Sequence, residues 1–369
     1  MGKSQFAFLG AIGLGAALLS PVVAVAEVVV ALAIPATGGQ IAALGAQARL
    51  GAEAAVEAIN ARGGINGERI ALRVVDDQCD PRSAVAAANQ IASRGIRFVL
   101  GHLCSGASIA ASKVYEEEGV LMLTGSATAP DLTERGLKMI FRACGRHDQQ
   151  GVVGARFVTE RLKPSRVAVV HDRQVYGKGL AEKAEAIFRE AGLVPLLSGS
   201  INAGERDYTA LVTRLKQDDV EVVYFGGYHT ELGLLVRQAR QAGVEARFVG
   251  GDGLASSEYW ALAGDGAAGT LFTFSPDPKS TDAGQRVYQA MKPRGEPDNF
   301  SFYYYAATQV LAQAISAGGP SPSAVATILR EREFDTVVGK LRFNAQGDLT
   351  DPKYVVYEWA DGKYAASQR

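Results

Sequence analysis

The residues best placed for chemistry are those that directly follow apolar runs of strand length. They are His102-Leu103-Cys104-Ser105, Thr124-Gly125-Ser126-Ala127-Thr128, the segment from His171 to Tyr176, Gly226-Gly227-Tyr228 and Gly251-Asp252-Gly253. Ligands of open α/β sheets bind outside the carboxyl ends of the strands, so these groups converge if the runs are parallel strands. Together they offer hydroxyls, backbone amides, aromatic rings and one carboxylate, with no base and no metal cluster. That is the chemistry of holding a zwitterion rather than transforming it. Helices that start just after Ser105 and Thr128 aim amide dipoles at an anion. The Ser105 hydroxyl also suits a helix N-cap and that of Thr128 a turn or cap, and capping and ligation are compatible.

Other motifs do not survive their context. Residues 264–269 spell GxGxxG, but a dinucleotide fingerprint needs a strand before it and a helix after it, and here the order is reversed. His102, His147, His171 and His229 have neither i, i+4 spacing nor cysteine partners, so no zinc site is expected. Gly125-Ser126-Ala127-Thr128 lacks the GxSxG spacing of a nucleophile elbow. Neither an enzyme, a cofactor nor a metal is expected.

The elements that must position the five groups alternate along the chain. Strand-like runs at 28–34, 70–75, 96–100 and 120–123 are separated by helical patterns at 44–62, 83–94 and 108–118. A second series follows Arg146: a helix to 161, strands at 167–170, 194–198, 221–225 and 248–250, and helices at 179–191, 208–216 and 231–242. After Gly269 come a strand at 271–274, helices at 300–317 and 323–332, and short β segments near 337–343 and 354–359. The alternation predicts α/β architecture, with parallel sheets covered by helices on both faces. No Pro-, Gly- or Ser-rich linker divides the two series, which fits a chain that passes between two lobes over a short hinge.

At the amino terminus, Lys3 is the only charge before Glu27, and an apolar run at 6–19 leads to Ser20, Pro21 and Ala24-Val25-Ala26. The run is shorter than the ~20 residues a membrane-spanning helix needs and ends in small residues, so 1–26 is expected to be a signal peptide cleaved after Ala26. The whole chain carries a net charge of −1, and loss of Lys3 with the leader leaves 37 basic against 39 acidic residues. So even a balance argues against nucleic acid or anionic lipid as partner. Of three cysteines, Cys79 and Cys104 each follow a strand-like run, and export to an oxidising compartment predicts a disulfide between them. Cys144 is then left as a small buried apolar residue.

His102-Leu103-Cys104-Ser105, Thr128-Ala129-Pro130, His171-Asp172 with Tyr176-Gly177, and Gly226-Gly227-Tyr228-His229 together resemble the periplasmic leucine/isoleucine/valine-binding proteins of ABC transporters. Further matching runs are Asp76-Asp77 with Cys79-Asp80-Pro81, Tyr115-Glu116 with Glu118-Gly119, and Asp335-Thr336-Val337, so the resemblance spans about 27–359. It implies a type I periplasmic binding protein: two doubly wound lobes, a three-crossing hinge near Arg146, Ser275 and Phe343, and the same Cys79–Cys104 disulfide. The implied lobes are 27–146 plus 276–343 and 147–275 plus 344–369.

Carried over by residue, the resemblance has Ser105 and Thr128 bind the α-carboxylate of an amino acid, with Tyr228 nearby from the second lobe. The Ser126 carbonyl and the Asp252 carboxylate would meet the α-ammonium, while Leu103, Cys104, Tyr176 and Phe300 wall the side-chain pocket. Leu103 and Phe300 also suit a plain core. Two positions depart from the family. Asp252 stands where leucine-binding members have glutamate, one methylene longer, and Leu44 aligns with a tyrosine of the side-chain wall. The expected cargo is a branched-chain or other aliphatic amino acid, with alanine, proline, γ-aminobutyrate or an aromatic amino acid as alternatives. The implied partner is the membrane permease of an ABC transporter, with the protein a periplasmic monomer; a ligand sensor for a membrane receptor is the other reading.

Overall fold

The computed structural model describes residues 1–2, 27–37, 39 and 41–368. The expected leader, Met1 and Gly2 apart, lies outside them. Among the described residues, no helix is long and apolar enough to cross a membrane.

The chain first builds β1 (Glu27–Ile34), α1 (Ala42–Ala61), β2 (Arg69–Asp76), α2 (Pro81–Ser93), β3 (Phe98–Gly101), α3 (Ser105–Glu117), β4 (Leu121–Thr124), α4 (Asp131–Glu134) and β5 (Ile140–Arg142). These five strands form one parallel sheet in the order β2-β1-β3-β4-β5. Every residue of β3 and β4 is buried, as continuous apolar runs covered on both faces require.

A second unit follows: α5 (His147–Phe157), β6 (Val167–His171), α6 (Val175–Glu190), β7 (Leu197–Ser200), α7 (Thr209–Gln217), β8 (Val222–Gly226), α8 (His229–Gln241), β9 (Arg247–Gly250), α9 (Ser257–Ala263) and β10 (Leu271–Phe274). The remainder is α10 (Asp282–Met291), α11 (Asn299–Gly318), α12 (Pro322–Glu331), β11 (Glu333–Thr336), β12 (Gly339–Arg342), β13 (Val355–Ala360) and β14 (Lys363–Ala366). The second sheet runs β14-β13-β10-β9-β8-β6-β7. Its strands β6 to β10 are parallel, and the β13–β14 hairpin closes one side antiparallel. Among the described residues, β11 and β12 pair only with each other.

Both sheets therefore share one winding. Each starts in the middle, adds its second strand on one side and its later parallel strands on the other, so each has a switch point where the carboxyl ends diverge into a crevice. The first unit is not contiguous, because α11 packs along α1. Gly51 makes that approach possible: a Cβ there would overlap the Ser301 carbonyl. The Asp298 carboxylate caps α11 by accepting the N–H of Phe300 at 2.8 Å.

Several boundaries differ from the periodicity reading. β7 begins at Leu197 rather than 194, because its register is set by pairing with β6, Leu197 opposite Ala168, while Val194 and Leu196 stay exposed. The three-residue β5 and the four-residue β14 are too short for a period to be read, and the amphipathic helix α10 is absent from the periodicity reading. α3, α6 and α8 begin earlier than the apolar periodicity does, at Ser105, Val175 and His229. The groups expected in loops thus occupy the first turns of three helices.

Candidate functional site

The two switch points face each other. From the first lobe come Leu103, Ser105, Ser126 and Phe300, and from the second Tyr176, Tyr228, Asp252 and Gly253; these eight line one small cavity between them. All the side chains among them are buried, so the cleft is closed. Ser105 stands in the first turn of α3, Tyr176 in that of α6, and Tyr228 is the N-cap of α8. Three helix amino termini thereby point toward one enclosed space, a setting that favours an anion.

Two loops of the first lobe are pinned to each other through hydroxyls. The Ser105 Oγ caps no helix; it accepts the N–H groups of Thr128 and Ala129, both at 3.2 Å. Ser126 Oγ donates to the Leu103 carbonyl at 2.9 Å and lies 3.1 Å from the Tyr304 hydroxyl. Behind Leu103, the ring of His102 is held between the Asp77 carboxylate, 2.6 Å from Nδ1, and the Tyr115 hydroxyl, 2.9 Å from Nε2. The Asp77 carboxylate also accepts the Cys79 N–H at 2.9 Å. Cys79 and Cys104 form the expected disulfide, which fixes the N-cap of α3.

The charged member is Asp252. It lies in a tight turn after β9, and its Oδ1 accepts a hydrogen bond from the Tyr176 hydroxyl at 2.7 Å. That hydroxyl in turn accepts the Gly253 N–H at 3.1 Å. Burial pushes the Asp252 carboxyl above its usual range, with the hydrogen bonds of Tyr176 and Gln150 acting in the opposite direction. Burial also raises the Tyr176 phenol well above its ordinary value, so it stays protonated and donates. No protein cation pairs with Asp252 among the described residues. A buried carboxylate in that state is stabilised by any ammonium that enters the cavity.

The remaining walls are apolar or aromatic. The Phe300 ring sits 5.1 Å from that of Phe274, and Tyr176 lies 5.3 Å from Tyr228. Such a lining suits an aliphatic side chain and has no counter-charge for a charged one.

Three expected residues do not reach this lining. Thr128 stands beside it: its N–H is given to Ser105, and its hydroxyl lies 3.4 Å from His147 Nδ1. Burial lowers the His147 imidazole to about 4, leaving it neutral there. Cys104 is committed to the disulfide. Leu44 is fully buried and is not among the residues that line this cavity. Cys144 is a buried free thiol, pushed up to about 12 by burial, with its Sγ 3.7 Å from the Ala127 carbonyl.

One organising residue escaped the sequence reading. The fully buried Arg142 at the end of β5 donates to the carbonyls of Ala127 and Ala129 and to the Thr133 hydroxyl, and pairs with Asp348 at 2.7 Å. It clamps the 127–133 loop from behind. The only signal in sequence is an arginine next to two apolar residues, which reads equally as a surface strand end. Among the described residues no cluster of three or more His, Cys, Asp or Glu is arranged to hold a metal ion.

Residues 27–363 match a family described as periplasmic binding protein. The chain is 45% identical over 345 residues to the Leu/Ile/Val-binding protein homolog 1 of Brucella abortus (strain 2308), covering 92% of this chain and 93% of that protein. It is 44% identical over 337 residues to a leucine-, isoleucine-, valine-, threonine-, and alanine-binding protein of Pseudomonas aeruginosa, with 89% of each covered. Among solved structures, the branched-chain amino acid transporter substrate binding protein LivJ of Streptococcus pneumoniae in complex with isoleucine superposes with a TM-score of 0.85 at 26% identity, over 92% of this chain and 98% of that one. The leucine binding protein LivK of Thermotoga maritima gives 0.86 at 28%, over 92% and 97%.

Proposed function

The chain belongs to the periplasmic binding protein family, and on that premise we propose that it is the solute-binding component of an ABC transporter for branched-chain and other small aliphatic amino acids. The two lobes enclose the ligand at their facing switch points and hand it to a membrane permease. The names of the relatives support the cargo: leucine, isoleucine and valine recur, and the Pseudomonas protein's name adds threonine and alanine. The role is capture and release without chemical change, by a monomer in the periplasm that has lost residues 1–26 and binds no nucleic acid.

The observation that carries the reading is Asp252. Its buried carboxylate pairs with no cation among the described residues and shares one cavity with the Ser105 and Ser126 hydroxyls and the amino end of α3. In the proposed pose the α-ammonium meets Asp252 and the Ser126 carbonyl, and the α-carboxylate meets Ser105 and Tyr228, with Thr128 holding the Ser105 hydroxyl from beside the lining. Leu103, Phe300 and Tyr176 pack on the side chain. The proposed lobes are 27–146 plus 276–343 and 147–275 plus 344–369, which puts the crossings between β5 and α5, after β10 and between β12 and β13.

Magnitudes fit a tight site. An aliphatic side chain of leucine size contributes about 1.5 to 3 kcal/mol on burial, and each charge-assisted hydrogen bond about as much. Four such contacts offset closure and still reach the ~8 kcal/mol of micromolar binding. The test is a thermal-shift and calorimetric screen of the purified protein against the twenty amino acids and their amides. Stabilisation by leucine, isoleucine or valine and none by their amides supports the reading, because ligand that binds only the folded state raises Tm. Silence from every amino acid overturns it.

A further inference from the structure

Thr124, the last residue of β4, has no place in the cavity lining and is fully buried. Its hydroxyl nevertheless joins the two first-lobe loops that line the cavity. It donates to the His102 carbonyl at 2.7 Å and accepts the N–H groups of Ser126 at 3.2 Å and Ala127 at 3.1 Å. The His102 carbonyl also accepts from the Ser108 hydroxyl, on the second turn of α3, at 3.1 Å. One oxygen thus ties the segment that carries Leu103 and Ser105 to the segment that carries Ser126 and Thr128.

We propose that Thr124 is a positioning residue for ligand binding, its hydroxyl holding the 102–105 and 125–128 segments at the separation a bound amino acid requires. The proposal rests on the amino-acid reading above. The first segment is already rigid from behind, through the fully buried Asp77–His102–Tyr115 contacts. The second has Arg142 on its far end, at the Ala127 and Ala129 carbonyls. Between these two anchors, Thr124 supplies both the acceptor for the Ser126 and Ala127 amides of the second segment and the donor that faces the first. Valine has the same shape and suits a strand, but provides neither donor nor acceptor. In Thr124→Val the Ser126 and Ala127 amides lose their acceptor in a buried place and turn toward whatever water or carbonyl is in reach. The ligand must then reorder the segment as it binds, and its affinity falls by that amount.

A role confined to stability would lower Tm and leave affinity intact wherever the protein is folded, so affinity well below Tm separates the two roles. The experiment is calorimetric titration of leucine or isoleucine into wild type, Thr124→Ser and Thr124→Val at one such temperature, with amide hydrogen exchange at Ser126 and Ala127. The expected result is Kd weakened about tenfold or more in Thr124→Val and held within about threefold in Thr124→Ser. Faster exchange of the two amides in the valine variant is expected alongside. Affinity within about threefold of wild type for Thr124→Val, or an equal loss in Thr124→Ser, overturns the proposal. If Thr124→Val does not fold, Thr124→Ala is read against the same limits. Failure of wild type to bind any amino acid counts against the proposed function instead. The exchange data then decide the hydroxyl's role, and unchanged protection at Ser126 and Ala127 overturns it.

Discussion

Asp252 and Tyr176 meet through a 2.7 Å hydrogen bond in which a buried phenol donates to a buried carboxylate. The two side chains come from different βα units of the second lobe, the turn after β9 and the first turn of α6. The phenol satisfies one lone pair of the carboxylate and supplies no charge. An ammonium entering the cavity would supply the charge that the phenol does not.

Replacing that carboxylate has a two-sided outcome. Asp252→Ala should weaken amino-acid binding by about 2 to 5 kcal/mol, the range for breaking a buried charge pair. The unliganded variant should melt no lower than wild type, since a desolvated charge is removed with the side chain. Calorimetry and thermal unfolding on the same samples check both halves, and wild-type affinity in Asp252→Ala would sink the site assignment.

The pH dependence of binding follows from the same pair. The Asp252 pKa is raised by burial and opposed by the Tyr176 hydrogen bond, so affinity should be constant where Asp252 is ionised and fall as pH drops through its pKa in the free protein. Tyr176→Phe removes the opposing hydrogen bond, so the fall should start at a higher pH. Titrations from pH 4 to 8 measure the midpoint; a midpoint unmoved by Tyr176→Phe would mean that the phenol does not set the carboxyl's ionisation.

Reduction of Cys79–Cys104 should act on stability and affinity together. The bond closes a loop of 25 residues, for which loss of the cross-link is worth about 3 kcal/mol on chain-entropy grounds. Cys104 is also the N-cap residue of the helix whose first turn bears Ser105, so the reduced protein should bind its amino acid more weakly even where it remains folded. Chemical unfolding and titration with and without reductant provide the two readings.

A second buried acid gives stability its own pH signature. Asp172, after β6, is raised to about 7, chiefly by burial, and its Oδ2 has no hydrogen-bond partner. The folded state then holds a proton that the unfolded chain releases near pH 4, so this group's contribution is full below pH 4 and is lost as pH rises to about 7. The charge of the buried Glu231, itself raised, adds to the shift with the same sign. Asp172→Asn keeps the Oδ1 that accepts the Gln174 N–H and removes the titration, so its Tm should exceed wild type by more at pH 8 than at pH 5. Parallel Tm curves for the two proteins would rule the assignment out.

How much of this was legible in the sequence depends on how local each feature is. Leu103, Ser105, Ser126, Tyr228 and Asp252 could be read because a parallel sheet delivers whatever follows its strands to one edge. Tyr176 closed one of those groups and took its role as a wall from the family resemblance, Phe300 came from the resemblance alone, and both line the cavity. Leu44 came the same way and does not, since matching a position in a helix says nothing of which neighbours cover it. Arg142 was missed, and Thr124, though named in the group after β4, was given no role of its own, for a different reason. Their partners lie up to two dozen residues away in sequence, or farther for Asp348, and only packing brings them into reach. Helix starts were read too late because α3, α6 and α8 open on polar, glycine and aromatic residues in place of an apolar stripe.

The contact of α1 with α11, made possible by Gly51 lying against Ser301, orders events during synthesis. The lobe that begins first cannot be completed until the chain has passed through the whole second unit and delivered α11 back to it. A nascent chain ending before Asn299 leaves that flank of α1 bare, so the earliest-made lobe finishes late, and no contiguous fragment of the first half is expected to fold as an independent module.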